Sequence, residues 1–283
     1  MNNKTKVSGY MFLLVALALF FLQLGYFFLR GRYQIEYSDS RLFYVLNICI
    51  MVLLTFGLFL LLNIRRKWKI VISSFVILFS VLSIILLLMQ NNQLTNVVSI
   101  SPNHKHLLVI KENKLTGEAV YYRTYFRIFA RPKESLPYPT TSNFKVEWLA
   151  NDVAAVTYQS KDHTLHQFIG TYGDRGIGNS YYYVGSSLHG EWKGKNTNLV
   201  ANTEGITIEK NGKSESYGWE NIVQFGTLAV VLVDHNEAKW TVSLNEDMVV
   251  DHNNYEPPTG HITLYKATMD ETGPIILSFN KVD

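Results

Sequence analysis

The sequence holds a single cysteine, Cys49, so no disulfide can form within the chain. Disulfides are a common staple of secreted eukaryotic domains of this size. Glycosylation acceptors are as scarce: the only Asn-x-Ser/Thr triplet is Asn3-Lys4-Thr5, and it stands at the amino terminus. Both shortages favour a bacterial membrane protein. The His-Glu-x-x-His pair of one zinc-protease class is missing as well. Clustered positive charge is lacking in the second part of the chain. Residues 1–90 carry nine basic against two acidic side chains, a net of +7, and the remainder carries seventeen against twenty-one, a net of −4. A mildly acidic globular part is a poor nucleic-acid binder, because neutralising phosphates needs grouped Lys and Arg. The overall isoelectric point near 8.7 therefore reports the cations of the first part and no polyanion partner.

What the first part has is long apolar runs. Met11–Leu29, Leu42–Leu62 and Ile70–Met89 are each about 20 residues long, enough to cross a hydrocarbon core of about 30 Å as a helix. The first run follows a short cationic terminus, but it is too long for a signal-peptide core, and it reads as an uncleaved span. Arg65-Arg66-Lys67-Trp68-Lys69 puts four cations between the second and third runs. With Lys4 and Lys6 this cluster predicts a cytoplasmic amino terminus and a cytoplasmic second loop. The Gly31–Arg41 loop and everything after Met89 then lie outside. Arg30, Arg32 and Arg41 are diluted by Glu36 and Asp39 and oppose this only weakly. The expected organisation is a three-helix transmembrane region over residues 1–90 and an extracytoplasmic all-β domain over residues 91–283. The localisation is the cell membrane, multipass, with the lipid bilayer as first partner.

No Asp, Glu, Lys, Arg or His lies mid-span. Ion and proton pathways usually need one, so a transporter is not expected. The polar residues Gln23, Asn47 and Ser83 fall at similar depth and read as hydrogen-bonding glue between helices, worth about 0.6 kcal/mol per bond. Gln90-Asn91-Asn92-Gln93 reads as a short polar linker.

After it the pattern changes to short runs rich in Val, Ile, Tyr, Thr and Phe, bounded by turn residues, with no helical periodicity. Thr207–Lys213 encodes a tight hairpin, since Asn211-Gly212 supplies the positive φ angles of a two-residue turn. The segment Val98-Ser99-Ile100-Ser101-Pro102-Asn103-His104-Lys105-His106-Leu107-Leu108-Val109 resembles the turn-and-strand of TolB-type and WD40-like propeller blades. Val146-Glu147-Trp148-Leu149-Ala150-Asn151-Asp152-Val153-Ala154-Ala155-Val156 is similar to a second copy at blade spacing. Asn-His stands where the blade pattern has Asp-Gly. The resemblance takes in residues 98–123 and 145–170 and implies a propeller-like architecture and an interaction platform. A β-sandwich accounts for the same strands.

Candidate chemistry is sparse. Gly173-Asp174-Arg175-Gly176-Ile177-Gly178 is glycine-rich, but Tyr181-Tyr182-Tyr183-Val184 after it reads as a strand, and a phosphate loop needs a helix there. Gly185-Ser186-Ser187-Leu188-His189-Gly190 and Ser142-Asn143-Phe144-Lys145 are partial matches to nucleophile motifs, and both lack the required context. His163 and His166, three apart on a strand, face opposite sides. Val233-Asp234-His235-Asn236 recurs as Val250-Asp251-His252-Asn253. If two strand ends met, Asp234, His235, Asp251 and His252 could converge on a metal, although Asp and Asn also simply start turns. Tyr181, Tyr183 and Trp192 form the densest aromatic group and are ligand-stacking candidates for a glycan or peptide, against core packing. No catalytic set and no cofactor is expected. The expected function is non-catalytic binding of an envelope or membrane protein, a peptide or a glycan. The alternatives are an envelope hydrolase or metal enzyme, or an immunity or signalling membrane protein.

Overall fold

A computed structural model describes residues 3–173, 183–249 and 257–280. They form three long helices followed by an all-antiparallel β region, in two compact units: Met1–Val98 with Val109–Ser135, and Ser99–Leu108 with Leu136–Asp283.

The first unit contains α1 (Asn3–Tyr33), α2 (Arg41–Leu61) and α3 (Arg66–Gln93), each long and apolar enough to cross a membrane. Gly9, Ala16 and Gln23 of α1 are buried at seven-residue intervals, the repeat that keeps one seam against a partner helix. Leu14, Phe21 and Phe28, and Phe75, Leu78 and Leu82 on α3, are exposed. The seam is close because it is small. A methyl group added at Gly57 would stand 2.8 Å from Leu13 Cγ and 3.2 Å from the Gly9 carbonyl oxygen. Small residues at such crossings let backbones approach and gain packing that a lipid environment does not otherwise drive. Gly57→Val is therefore expected to destabilise the helix pair by on the order of 1–3 kcal/mol through overpacking. Gly57→Ala should lose less, because the nearest atoms are the end of Leu13. Thermal unfolding of the detergent-solubilised protein reads both, and equal midpoints for Gly57→Val and the parent would refute the close crossing.

The helix of α3 runs through Gln90-Asn91-Asn92-Gln93, so these residues are not a linker. The amide of Leu94 still donates to the Gln90 carbonyl, and strand β2 begins at once. Five strands then form one sheet in the order β1-β5-β4-β3-β2: β2 (Leu94–Ile100), β3 (Leu107–Asn113), β4 (Ala119–Tyr125), β5 (Phe129–Ser135) and β1. Strand β1 is only Glu36–Tyr37, from the loop between α1 and α2, and it pairs with Ala130 and Phe129. The α1–α2 loop and the sheet therefore share one end of the helices, and Arg65–Lys69 occupies the other.

The second unit has β6 (Thr140–Ala150), β7 (Val153–Ser160) and β8 (Leu165–Thr171) in a three-stranded sheet. A short helix, α4 (Val184–Ser187), precedes β9 (Gly190–Gly194), β10 (Thr197–Ala201), β11 (Gly205–Lys210), β12 (Lys213–Gly218), β13 (Ile222–Phe225), β14 (Ala229–Asp234), β15 (Glu237–Leu244), β16 (His261–Lys266) and β17 (Ile275–Phe279). These nine strands form a single sheet in the order β12-β11-β10-β9-β17-β16-β15-β14-β13. The sheet curls, so that Leu199, Ile206 and Ile208 meet Leu232, Trp240, Val242 and Leu264 in one core. On its outer face Ala229, Val231 and Tyr265 pack with Val153, Ala155 and Ile169 of the three-stranded sheet. Strand β14 is thus buried on both faces, which is why Leu228–Val233 reads as an unbroken apolar run.

The second unit is a half-barrel with a second antiparallel sheet stacked on it, and it is not a radial propeller. The strands do follow each other as antiparallel meanders, as in a propeller. But β17 pairs with β9 through Phe279 and Trp192, and this joins two meanders that radial blades would keep apart. The blade-like turn itself is real: the Ser101 hydroxyl accepts from the amides of Lys105 and His106, and His104 takes the positive φ of +57°. The Asn211-Gly212 hairpin forms as expected, with φ of +51° and +76°.

Candidate functional site

The most thoroughly built polar site lies in the first unit, where the α1–α2 loop meets the sheet. Lys111 of β3 is 7% exposed, a burial that lysine tolerates only when paired. Its Nζ lies 2.7 Å from Glu36 Oε2 and donates to the Tyr37 carbonyl oxygen at 2.8 Å. It also stands 4.8 Å from the centroid of the Tyr122 ring, a cation–π arrangement. Burial pushes the Lys111 ammonium down from its ordinary value, and the Glu36 carboxylate pulls it part of the way back. Tyr122 is pushed up to about 12, by burial and then by Glu36. Glu36 and Tyr37 belong to β1, so a strand from between two helices is pinned by a lysine from the sheet.

Tyr37 carries the connection onward. Its ring stacks on Tyr26 of α1 at 4.2 Å and on Phe129 of β5 at 5.4 Å. Its hydroxyl donates to Gln23 Oε1 at 3.0 Å, and Gln23 Nε2 donates to Asn47 Oδ1 of α2 at 3.2 Å. Gln23 and Asn47 are thus the interhelical glue their depth suggests. Ser83 is buried on α3. The sequence signal for this junction is Gln23 with Asn47, and the strand is not legible because two residues have no periodicity to read.

The second unit offers a polar cleft of about 530 Å³, lined by Glu215, Tyr217, Asp234, Glu237, Lys239 and Trp240 among others. Glu215 Oε2 accepts from Trp240 Nε1 and from the Tyr217 hydroxyl, both at 2.7 Å. Burial opposes ionisation of Glu215, but these two donors, together with the nearby Lys266 and Lys239 charges, outweigh it and hold the carboxyl below its ordinary range. The cleft carries charges of both signs on a floor of buried aromatic rings. Such a lining suits a polar ligand better than an apolar one.

The residues singled out from the sequence fall elsewhere. Asp234 and His235 form the tip of the β14–β15 hairpin, where His235 and Asn236 have φ of +49° and +66°. His235 Nδ1 is 2.8 Å from Asp234 Oδ1, on a side chain that is 94% exposed. This is the turn chemistry of Asp and Asn. Asp251 and His252 lie outside the described residues, and no metal-holding group of three or more His, Cys, Asp or Glu occurs among the described ones. Tyr181 also lies outside the described residues, as does the segment from Asp174 to Gly178. Tyr183 is partly exposed and tilts against Trp219 at 5.9 Å. Trp192 is fully buried, donates Nε1 to the Leu188 carbonyl oxygen and meets Phe279 edge-on at 5.2 Å. It has no face for a ligand. Ser186 donates its hydroxyl to the Tyr183 carbonyl within a single helical turn. Lys145 reaches the Asp270 carbonyl and the Tyr265 ring. His166 stacks on Tyr138 and bonds Thr164, while His163 sits in a turn.

Three membrane-length apolar helices ahead of an all-antiparallel β region define the class of this protein. The chain matches no protein-family model, no curated protein and no solved structure.

Proposed function

We propose that the chain is a three-span membrane protein that holds its β units on the extracytoplasmic side, where they bind a peptide, a glycan or another envelope protein without catalysing a reaction. The observation that carries the reading is the contrast between the two helix ends. At the sheet end, Arg41 is clamped by Asp39 through Nε and NH2 contacts of 2.8–3.0 Å, and Lys111 is paired with Glu36. At the other end stand Arg65, Arg66, Lys67 and Lys69, and no acidic residue occurs between Asp39 and Glu112. The orienting bias is one of Lys and Arg: six (Lys4, Lys6, Arg65, Arg66, Lys67 and Lys69) flank the helices at this end against three (Arg30, Arg32 and Arg41) at the sheet end, and the richer side stays cytoplasmic. The Glu215–Trp240 cleft supplies a polar binding surface for the ligand. The junction at Tyr37 and Lys111 favours a signalling variant of the same reading, since it ties sheet to helices within one unit.

Orientation is tested with an impermeant thiol reagent in a Cys49→Ala background. Lys213→Cys, at the exposed start of β12, should label in intact cells, and Trp68→Cys should label only after lysis. The reverse pattern overturns the location. Turnover of an ester, peptide or glycan by the full-length protein, abolished by a point substitution, overturns the binding role.

A further inference from the structure

The turn between β4 and β5 presents Phe126, which is 91% exposed, more than any other large hydrophobic among the described residues. Tyr125 and Ile128 beside it are 40% and 41% exposed. Phe126 and Arg127 also take φ of +51° and +60°. Glycine and asparagine adopt that left-handed backbone readily, and a bulky aromatic rarely does. Turn formation alone would therefore select a different residue, and strain of this kind concentrates where a side chain serves another purpose.

The position of the turn indicates that purpose. The Ile128 carbonyl oxygen accepts from the Ser38 amide at 2.7 Å. Phe129, the first residue of β5, stacks on Tyr37, and Tyr37 stacks on Tyr26. Tyr26 lies seven residues before the end of α1 at Tyr33, about 10 Å down the helix axis. The root of the hairpin is thus level with the last turns of α1 and not beyond them. At the same level α1 exposes Phe27, Phe28 and Tyr33. The apolar surface of the helix and the root of the hairpin are continuous in depth, and Phe126 lies three residues from Phe129 along the chain.

We propose that the β4–β5 hairpin is a second membrane contact, with Phe126, flanked by Tyr125 and Ile128, seated at the headgroup–acyl boundary of the bilayer that the helices cross. This rests on the membrane reading above. Tyrosine, as at Tyr125, is enriched at that boundary, and phenylalanine is one of the residues that interfacial segments bury there. A bilayer is a better occupant than a protein, because a specific protein interface needs about 800 Å² per partner and a three-residue tip offers far less.

The test uses the full-length chain with Cys49→Ala in nanodiscs of phosphatidylcholine and phosphatidylglycerol. An environment-sensitive fluorophore is attached at Phe126→Cys or, as reference, at Val81→Cys on the exposed face of α3. The label at 126 should emit blue-shifted relative to free dye and lose intensity when the lipids are brominated near the carbonyl end of the acyl chain. The label at 81 should be quenched by lipids brominated deeper. If 81 is quenched while 126 emits as in water, the hairpin contact is refuted and the membrane reading stands. If 126 is blue-shifted but indifferent to bromination, protein and not lipid covers the tip, and the proposal fails. If neither label is quenched, the membrane reading itself falls.

Discussion

Replacing Trp192 with alanine is expected to destabilise the second unit by about 3–5 kcal/mol, the range for a fully buried large aromatic. The side chain fills the core of the curled sheet, its indole N–H is bonded to Leu188, and its strand closes the sheet against Phe279. The loss includes packing, the aromatic contact and a carbonyl left without its donor. Trp192→Phe should lose less, since the ring volume is largely kept. Chemical or thermal unfolding of the reconstituted protein, followed by proteolysis, measures both. If Trp192→Ala left stability unchanged and weakened only the binding of a glycan or peptide, the ring would be a ligand platform and its placement in the core would be wrong.

The second large effect belongs to Glu36. Glu36→Gln removes the carboxylate that compensates a buried ammonium, and breaking such a pair from the exposed side typically costs several kcal/mol. The Glu36 side chain is about one-third open to water, so a loss on the order of 2–4 kcal/mol is expected. Lys111→Met should lose less, because the group then left alone is a carboxylate that water reaches. This asymmetry is the informative result: equal losses for the two variants would mean that Lys111 is not buried as described. The pH dependence has a definite sign. Lys111 is held below its unfolded value of 10.5, so the unfolded chain binds more protons in the window just below that value. The Lys111 contribution to stability therefore rises with pH across that window and is constant below the folded value. In Lys111→Met this rise should vanish from the alkaline limb of a stability–pH profile.

The helices are legible in the sequence because soluble helices rarely stay apolar on every face for the length of a bilayer core. Gln23 and Asn47, matched in depth by their positions in the runs, do touch. The Asn211-Gly212 turn is legible because its backbone angles are chemically specified. Other features are not, for identifiable reasons. Strand β1 has two residues, too few for alternation to show. Lys111 sits inside Leu107–Asn113, where nothing in the sequence separates a lysine at a strand end from one buried against a carboxylate 75 positions away. Trp192 groups with the stacking tyrosines because aromatic density looks the same in a core and on a surface. The Ser101–His106 segment is a turn leading into a strand, as its residues specify. Sheet closure, however, depends on the pairing of β9 with β17 across a long stretch of chain, which local motifs do not encode.

Strand β1 has a practical implication for anyone who trims this protein. Cutting at the composition break near residue 90 would remove the two-residue neighbour that covers Phe129 and Ala130 of β5 and lengthen the open edge that this strand offers to another chain. The same cut would strand Lys111 in the sheet without its counter-ion. A fragment starting there should be prone to self-association, and the smallest well-behaved piece of the first unit includes the α1–α2 hairpin.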